Sequence, residues 1–425
     1  MDESSDDIDQ IFKRAAQHAA AIACVLDPTR AIERGAKRRS FARRRKMALS
    51  GAVVLALVVV FLVPLPQLHL FGTGGSGTST GPPTTLPATR TGPIGGRVPA
   101  GFEPRSFTAV NREEWWLLGF ARCLAGAGTC GEIVRTTDGG SSFVGIPAPP
   151  VSASEVTQLS FANALDGYAF DPELWETTSG GTSWVKLATA GPVAQLEVAD
   201  GEAYALGCTA ADCSSSELLR SPVGSLNWQR VPTPVPLEDD SSLTVSGTDI
   251  YVLGGETGSQ RMRIFLLRSE DKGASFAERV DPCTPGLGGR LTAAANGHQS
   301  LWAVCPTGTE AKTWLSNDGG RSWIGLKGGF PNSVQLVAAS SSVALVSPAL
   351  ESNGNTPDAL VRTTDGGRSF AVVLSGSATR VLWLGFTNPS RAYGLFESSN
   401  SAVVTTQLYE SNDGGATWHR VAIKT

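Results

Sequence analysis

The octapeptide SNDGGRSW at residues 316–323 decides the fold, because related octapeptides recur along most of the chain. The copies occupy residues 136–143, 177–184, 221–228, 269–276, 316–323, 363–370 and 411–418, so successive copies begin 41 to 48 residues apart. The copy at 221–228, SPVGSLNW, is degraded but keeps its place in the spacing. Seven copies at this period indicate an architecture in which each repeat is one small structural unit.

Each copy has the chemistry of a hairpin turn between two strands. An Asp at the third position can accept backbone N–H bonds within the turn, and the Gly two positions later tolerates a positive φ angle. The aromatic residue at the eighth position begins the next strand and is expected to point inward. The third-position residues outside the degraded copy are Asp138, Ser179, Asp271, Asp318, Asp365 and Asp413. The aromatic residues are Phe143, Trp184, Trp228, Phe276, Trp323, Phe370 and Trp418.

The segments between the turns supply the remaining strands of each repeat. Residues 159–170 read as a strand, a turn and a second strand, and residues 384–395 are the matching stretch of the last repeat. Repeats of about 46 residues with four short strands are typical of propeller blades. The sequence therefore predicts an all-β, seven-bladed β-propeller over residues 101–425. Its closure is left open, because residues 101–109 could stay in the first blade or join the last one.

The turn resembles the Asp box, Ser/Thr-x-Asp-x-Gly-x-Thr/Ser-Trp/Phe, of sialidases and many noncatalytic propellers. In that family the box joins the third and fourth strands of a blade, which makes it a specific signal of fold and a weak signal of function. The stretch Phe-x-Asn-x-x-x-Gly-Tyr at residues 161–168 is most similar to the noncatalytic photosystem II stability and assembly factor-like propellers, with Ala392 replacing the Gly in the last blade. This resemblance implies chaperoning or scaffolding of other membrane complexes.

The first hundred residues predict a membrane anchor and a stalk. Residues 47–63 read MALSGAVVLALVVVFLV and contain no charge, which is just long enough to cross a hydrocarbon core. Seven cations stand among residues 37–46 and none among residues 64–89, so the positive-inside rule places the N-terminus in the cytoplasm. The predicted parts are a basic cytoplasmic segment at 1–46 with a helix near 8–25, a transmembrane anchor and exit at 47–71, and a disordered Gly/Thr/Pro-rich linker at 72–100.

This arrangement predicts a single-pass cell-membrane protein whose propeller is extracytoplasmic. A cleaved signal peptide is disfavoured, because 46 residues precede the apolar stretch and no small-x-small cleavage site follows it. The cation run before the anchor also suits contact with anionic lipid headgroups.

The positions of the cysteines agree with the prediction that the propeller is extracytoplasmic. Six of the seven follow the anchor and fall into nearby pairs, which are Cys123 with Cys130, Cys208 with Cys213, and Cys283 with Cys305. Metal ligation is the alternative, but no pair has a nearby His to complete four ligands. Three disulfides are therefore expected, whereas Cys24 on the cytoplasmic side is expected to stay reduced.

Charge and composition exclude several classes of function. Residues 72–425 carry a net charge of −8, which argues against a nucleic-acid partner. Only His298 and His419 fall in the predicted propeller, so a His-rich metal site is excluded there. No P-loop or Rossmann fingerprint appears, and no cofactor or metal is expected.

Catalysis of the sialidase type is disfavoured as well. The nearest strings to the Phe/Tyr-Arg-Ile/Leu-Pro motif of sialidases are residues 102–105 and 262–264, and neither matches it. The five Tyr residues fall in predicted strands, where packing is their expected use. Four Arg residues precede the turns at one fixed offset, which indicates a structural role at the rim: Arg135, Arg220, Arg268 and Arg362.

What remains is binding at the propeller mouth, where loops from all blades converge. The first hypothesis is a noncatalytic binding or assembly scaffold for a protein partner. The second is a glycan-binding or sialidase-like carbohydrate-active propeller. The third is a signalling receptor coupled to the cytoplasmic helix.

Overall fold

A computed structural model describes residues 95–424 except 124–127, 151–155, 190, 210–212, 214, 239–240, 258–261, 284–287, 298, 308–309, 327–329, 332–334, 348–359, 376–377 and 401–402. The predicted cytoplasmic segment, the anchor and most of the predicted linker lie outside the described residues. Within the described part, no helix is long and apolar enough to cross a membrane.

The predicted all-β, seven-bladed propeller is confirmed. Each blade is an antiparallel sheet of four strands that follow one another in the chain. The strands of blades 1 to 4 are β1 (Glu103–Ala109), β2 (Trp115–Arg122), β3 (Thr129–Thr136), β4 (Val144–Ile146), β5 (Val156–Phe161), β6 (Gly167–Pro172), β7 (Trp175–Thr177), β8 (Val185–Lys186), β9 (Val193–Ala199), β10 (Glu202–Cys208), β11 (Ser216–Pro222), β12 (Gln229–Val231), β13 (Ser242–Ser246), β14 (Asp249–Thr257), β15 (Met262–Ser269) and β16 (Ala277–Arg279).

The strands of blades 5 to 7 are β17 (Arg290–Ala293), β18 (Leu301–Pro306), β19 (Glu310–Ser316), β20 (Ile324–Gly325), β21 (Phe330–Pro331), β22 (Gln335–Ala338), β23 (Ala344–Ser347), β24 (Leu360–Thr363), β25 (Ala371–Leu374), β26 (Ala378–Asn388), β27 (Arg391–Asn400), β28 (Val403–Ser411) and β29 (His419–Val421). The short strand β21 is an addition to blade 5, where it pairs with the start of β19.

The second strand of each blade is the most deeply buried, because blades pack on both of its faces. In β14, Ile250, Tyr251, Val252 and Leu253 run consecutively and are all at most 1% exposed. Such an unbroken apolar run is typical of a strand covered on both sides. Ile250 and Val252 pack towards blade 3, whereas Tyr251 and Leu253 pack towards blade 5. The core of the propeller is therefore a ring of layers between neighbouring blades.

Polar side chains on the inner strands join the backbones of successive blades. Ser106 Oγ accepts a hydrogen bond from the backbone N–H of Leu159 at 3.0 Å, across the boundary of blades 1 and 2. Gln195 of blade 3 accepts from the backbone N–H of Leu243 at 2.8 Å. Ser242 of blade 4 accepts from the N–H of Leu291 at 3.1 Å. These bonds satisfy inner-strand groups that have no partner within their own sheet.

Among the described residues, the ring closes without a strand exchanged between its ends, and residues 103–109 stay in the first blade. β1 pairs with β2 inside blade 1, and blade 7 consists of β26 to β29. The junction between blades 1 and 7, here called the seam, is held by aromatic side chains. Phe107 stacks on Tyr393 with ring centroids 4.6 Å apart, and Trp383 and Trp115 lie 5.2 and 5.9 Å from Phe107.

The chain before β1 is fastened to the outer edge of blade 1. Gly96 N–H donates to Gly145 O at 2.8 Å, and Gly145 N–H donates back to Gly96 O at 3.0 Å. Val98 is 6% exposed and packs in the apolar cluster at the seam that includes Phe107 and Tyr393. Val421 and Ile423 of the last blade pack against the same cluster. Residues 95–100, the described end of the predicted linker, thus pack against the propeller.

Candidate functional site

The strand order gives the propeller two chemically different ends. In an antiparallel blade, the connection from the second to the third strand and the connection to the next blade emerge at one end. We call this end the mouth. The opposite end, which carries the seven octapeptide turns between third and fourth strands, is called the turn end.

Three disulfides brace the mouth. Cys123–Cys130 and Cys208–Cys213 each close a connection between second and third strands, with Cα–Cα distances of 5.1 and 4.8 Å. Cys283–Cys305, also with 5.1 Å between Cα atoms, ties the segment after blade 4 to β18 of blade 5. The six cysteines predicted to pair are thus joined in the predicted combinations, and all three bonds restrain loops at the same end.

A cluster of charges lies where the seam reaches the mouth. Arg105 of β1 donates to Glu397 of β27 at 2.9 Å. Arg380 of β26 approaches the same carboxylate at 3.9 Å, and Glu103 lies 3.6 Å from Arg105. The cluster joins blades 1 and 7 and places two guanidinium groups beside the mouth.

Glu197 is a carboxylate on the innermost strand of blade 3. Thr108 and Thr244 occupy the equivalent positions of blades 1 and 4, where their hydroxyls accept N–H bonds from the next blade. The Glu197 side chain reaches solvent, yet the surrounding protein desolvates it enough to raise its pKa to about 7. Its charge therefore changes near neutral pH, next to the central channel.

The turn residues singled out in the sequence all lie at the turn end, away from the mouth. In the turn of blade 5, Asp318 Oδ1 accepts from the Ser322 N–H at 2.9 Å and from Ser316 Oγ at 2.8 Å, and Oδ2 accepts from Ser322 Oγ at 2.6 Å. Gly319 and Gly320 have φ angles of +67° and +83°, which explains the glycine pair. The same three contacts recur at Asp138, Asp271, Asp365 and Asp413.

The aromatic residue after each turn packs against a core between blades. All seven are partly buried: Phe143, Trp184, Trp228, Phe276, Trp323, Phe370 and Trp418. Trp184 also donates its indole N–H to Pro147 O of the preceding blade at 3.0 Å. Trp323 does the same to Val280 O at 2.7 Å. The turns and their aromatic residues are thus structural parts of the blade interfaces.

We expect Asp318→Ala to lower the free energy of unfolding by about 1–3 kcal/mol, because it leaves turn donors without their acceptor. The matched control is Ser179→Ala in blade 2. There a hydroxyl replaces the carboxylate and accepts the Ser183 N–H at 3.0 Å, so a smaller loss is expected. Urea unfolding followed by tryptophan fluorescence measures both. Equal losses at the two sites would show that the carboxylate adds nothing to the turn.

The turns also predict how stability depends on pH. The pKa of Asp138, Asp271 and Asp365 falls from the ordinary 3.8 to about 2, mainly because a serine hydroxyl four residues later donates to each. At Asp318 and Asp413 the largest influence is burial, which raises the pKa, but the summed hydrogen bonds outweigh it and the pKa is again about 2.

A lowered pKa in the folded state means that the unfolded chain binds protons more readily. The stabilisation from these five carboxylates is therefore complete above the ordinary pKa of 3.8 and is lost as the pH falls towards 2. Unfolding midpoints in urea, measured across that range, should fall steadily. The double variant Asp318→Asn, Asp365→Asn should show a shallower fall, and an unchanged slope would contradict this assignment.

The arginines that precede the turns are paired within the rim. Arg268 lies 2.9 Å from Asp249, Arg220 lies 3.8 Å from Glu202, and Arg135 pairs with Glu114. Arg362 instead donates to Gly414 O of the next turn at 2.8 Å. The acidic partners were missed in the sequence, although each stands 18 to 21 residues before its Arg, which is a regular offset that could have revealed them.

The tyrosines and the tryptophan pair are packing residues. Tyr168, Tyr204, Tyr251 and Tyr393 are at most 1% exposed on second strands. Trp115 and Trp116 are both fully buried, one towards blade 7 and one towards blade 2. Neither indole is therefore a surface contact.

Among the described residues, no group of three or more His, Cys, Asp or Glu side chains could hold a metal ion. His298, one of the two histidines of the predicted propeller, lies outside them.

Comparison with known proteins supports the fold. The chain is similar to the β-propeller domain of the Trilobed protease from Pyrococcus furiosus, which is described as having an open velcro topology, with a TM-score of 0.52, 10% identity, and 76% of this chain and 97% of that one covered. YCF48 bound to a D1 peptide matches with a TM-score of 0.49, 15% identity and coverage of 77% and 99%. A puromycin-hydrolysing peptidase from Mycobacterium tuberculosis matches with a TM-score of 0.49, 10% identity and coverage of 77% and 56%.

At such low identity the likeness shows the fold alone, and the similar structures include an enzyme. No protein-family model matches the chain, and no curated protein matches it in sequence. Function must therefore be argued from this chain's own residues.

Proposed function

We propose that this protein is a noncatalytic binding or assembly scaffold that presents its propeller mouth to a protein partner. The observation that carries the proposal is the bracing of the mouth by three disulfides. Loops that are already restrained lose less conformational freedom when a partner binds, so bracing them favours recognition at that end.

The catalytic alternative has less support from the described residues. A sialidase mechanism needs an accessible Tyr nucleophile with a Glu partner, and four of the five tyrosines are buried in the blades. The octapeptide turns, which resemble Asp boxes, stabilise the rim opposite the mouth. Both points favour a propeller of the noncatalytic, assembly factor-like kind.

A glycan partner is the second candidate, favoured by the two guanidinium groups at the mouth. Arg105 pairs with both Glu397 and Glu103, whereas Arg380 approaches only the Glu397 carboxylate, at 3.9 Å, and its side chain is 40% exposed. The Arg380 guanidinium therefore has donors that face solvent and could contact an acidic sugar. Screening the protein on a sugar array separates the candidates. Saturable binding of an acidic glycan that is lost in Arg380→Ala would replace the protein-scaffold proposal.

Membrane anchoring through residues 47–71, with the propeller extracytoplasmic, is part of the proposal. It is supported by the charge asymmetry around the apolar stretch and by the disulfides, which persist in oxidising compartments. A reporter active only outside the cytoplasm should work when fused after Thr425 and fail when fused before Met47. Reversing the charges of Arg43, Arg44 and Arg45 together should scramble the orientation. Cytoplasmic activity of the fusion after Thr425 would contradict the anchoring.

A further inference from the structure

The seam between blades 1 and 7 is the blade boundary that the chain does not cross. Every other pair of neighbouring blades is joined by the chain itself, since the four strands of each blade are consecutive. No strand of the described residues is exchanged across the seam. Because repeated units hold each other only through contacts between neighbours, a ring of blades opens most easily at such a boundary. The seam therefore calls for a fastening of its own.

The chain just before β1 supplies a contact at this boundary. Residues 95–98, here called the strap, are bound to blade 1 by the reciprocal backbone bonds of Gly96 and Gly145, at 2.8 and 3.0 Å. Val98 is buried in the apolar cluster of the seam, to which Tyr393 of blade 7 belongs. The strap thus holds the outer edge of blade 1 and also a cluster that both blades share.

The contact between the strap and β4 leaves room only for glycine. A Cβ atom on Gly145 would lie 2.5 Å from Arg97 O, and a Cβ atom on Gly95 would lie 2.5 Å from Val144 Cβ. Both distances are well below van der Waals contact, so any other residue at either position would displace the strap. Among the described residues, β4 is also the one fourth strand with a partner on its outer side. This pairing is therefore a specific feature of a blade at the seam.

The strap is nevertheless held lightly. Val98 is buried, whereas Gly96 and Arg97 are exposed. An open cleft of about 540 Å³ lies beside the strap, and its other lining residues are Phe143 of blade 1 and Lys424, which follows β29 of blade 7. A segment with few buried contacts and exposed backbone hydrogen bonds opens at a much lower free energy than the whole fold. The strap can therefore leave β4 while the blades stay folded.

Opening of the seam would reach the mouth. Arg105 of β1 donates to Glu397 of β27 at 2.9 Å across this boundary. Phe107, two residues further along β1, stacks on Tyr393 of β27 with ring centroids 4.6 Å apart. Both contacts join the same two strands, so the spacing of blades 1 and 7 determines the aromatic stack and the charge cluster together.

We propose that the strap is a releasable latch that closes the propeller ring. With the strap on β4, blades 1 and 7 are held together and Arg105 contacts Glu397 at the mouth. When the strap leaves, the seam loosens and this contact opens. The strap is the described end of the predicted linker, so a partner that engages the linker competes with β4 for it. Such a partner shifts the ring between two states, which goes beyond the role of a fixed scaffold.

The first test is amide hydrogen exchange of the full chain in detergent, measured at single residues. In the wild type, the amides of Gly96 and Gly145 should have protection factors at least about tenfold lower than those of β2, because the latch opens without global unfolding. If these two amides exchange only when the whole propeller unfolds, the strap is a fixed part of the fold and the proposal is overturned.

The second test displaces the strap without altering the aromatic cluster. Gly145→Ala and Gly95→Ala each place a methyl group in the contact between the strap and β4. Hydroxyl-radical labelling with mass spectrometry then reports how far seam side chains are exposed. In both variants we expect Phe107 and Tyr393 to be oxidised at least about fivefold faster than in the wild type, because the open state is more populated. Phe161, at the boundary of blades 1 and 2, should stay protected.

The matched control is Gly131→Ala in β3 of the same blade, where a Cβ atom meets nothing within 4 Å. It should leave the seam as protected as in the wild type. The proposal fails if both strap variants keep Phe107 and Tyr393 protected. It also fails if they expose Phe161 to the same extent, since the strap would then support the whole fold and not the seam.

Discussion

Phe107→Ala is expected to lower the free energy of unfolding by about 3–5 kcal/mol, the usual cost of removing a buried phenylalanine. Phe107 is 1% exposed and stacks on Tyr393 across the seam of blades 1 and 7. No strand of the described part of the chain is exchanged across this seam, so we expect side-chain packing to resist its opening. Urea unfolding and hydrogen exchange of the full chain measure the effect.

The matched control is Phe161→Ala, at the interface of blades 1 and 2. Phe161 is 5% exposed and stacks on Trp116 with ring centroids 4.1 Å apart, so its truncation should cost a similar amount globally. Only Phe107→Ala should speed amide exchange in β1, β27 and β28 ahead of global unfolding. Unchanged exchange there, or a loss below about 1 kcal/mol, would show that other contacts close the ring.

Cys305→Ser is expected to lower stability by about 3 kcal/mol, because the Cys283–Cys305 bond closes the longest loop of the three disulfides and loop-closure entropy grows with length. Its sequence separation is 22 residues, against 5 for Cys208–Cys213. Cys305 is also 1% exposed and packs between blades 4 and 5, so a buried hydroxyl adds to the cost.

Cys213→Ser is the matched control, because it removes the disulfide that closes a short loop at the same end of the molecule. Calorimetric melting without reductant should show a larger fall in Tm for Cys305→Ser. Peptide mapping without reduction should recover the three pairs of the structure. Equal falls in Tm would mean that loop length does not determine what the bond contributes.

The blade count and the disulfides could be predicted because their signals are local. The turn at residues 316–323 needs glycines and an acceptor at fixed positions, so its repetition marks every blade. Cys123 and Cys130 stand seven residues apart on one hairpin, and their pairing follows from the strand order. Neither inference required knowledge of distant contacts.

The seam and the surroundings of Glu176 could not be predicted because they depend on contacts between distant residues. Phe107 and Tyr393 meet only when the ring closes, and neither stands in a motif that marks the other. Glu176 occupies an arginine position of the repeat, but its burial against blade 3 emerges only from the packing. The pKa of Glu197 likewise depends on the protein around the channel.

The central claim, recognition of a protein partner at the mouth, is tested most directly by site-specific photo-crosslinking in intact cells that express the full chain. A photoreactive residue would replace Arg122 or Thr209, which are exposed at the mouth, or Ser141 or Arg321, which are exposed at the turn end. Mass spectrometry of the adducts then identifies what each end contacts. We predict one recurrent protein adduct from both mouth positions and none from the turn end. Adducts only from the turn end, or none from either end, would contradict the account.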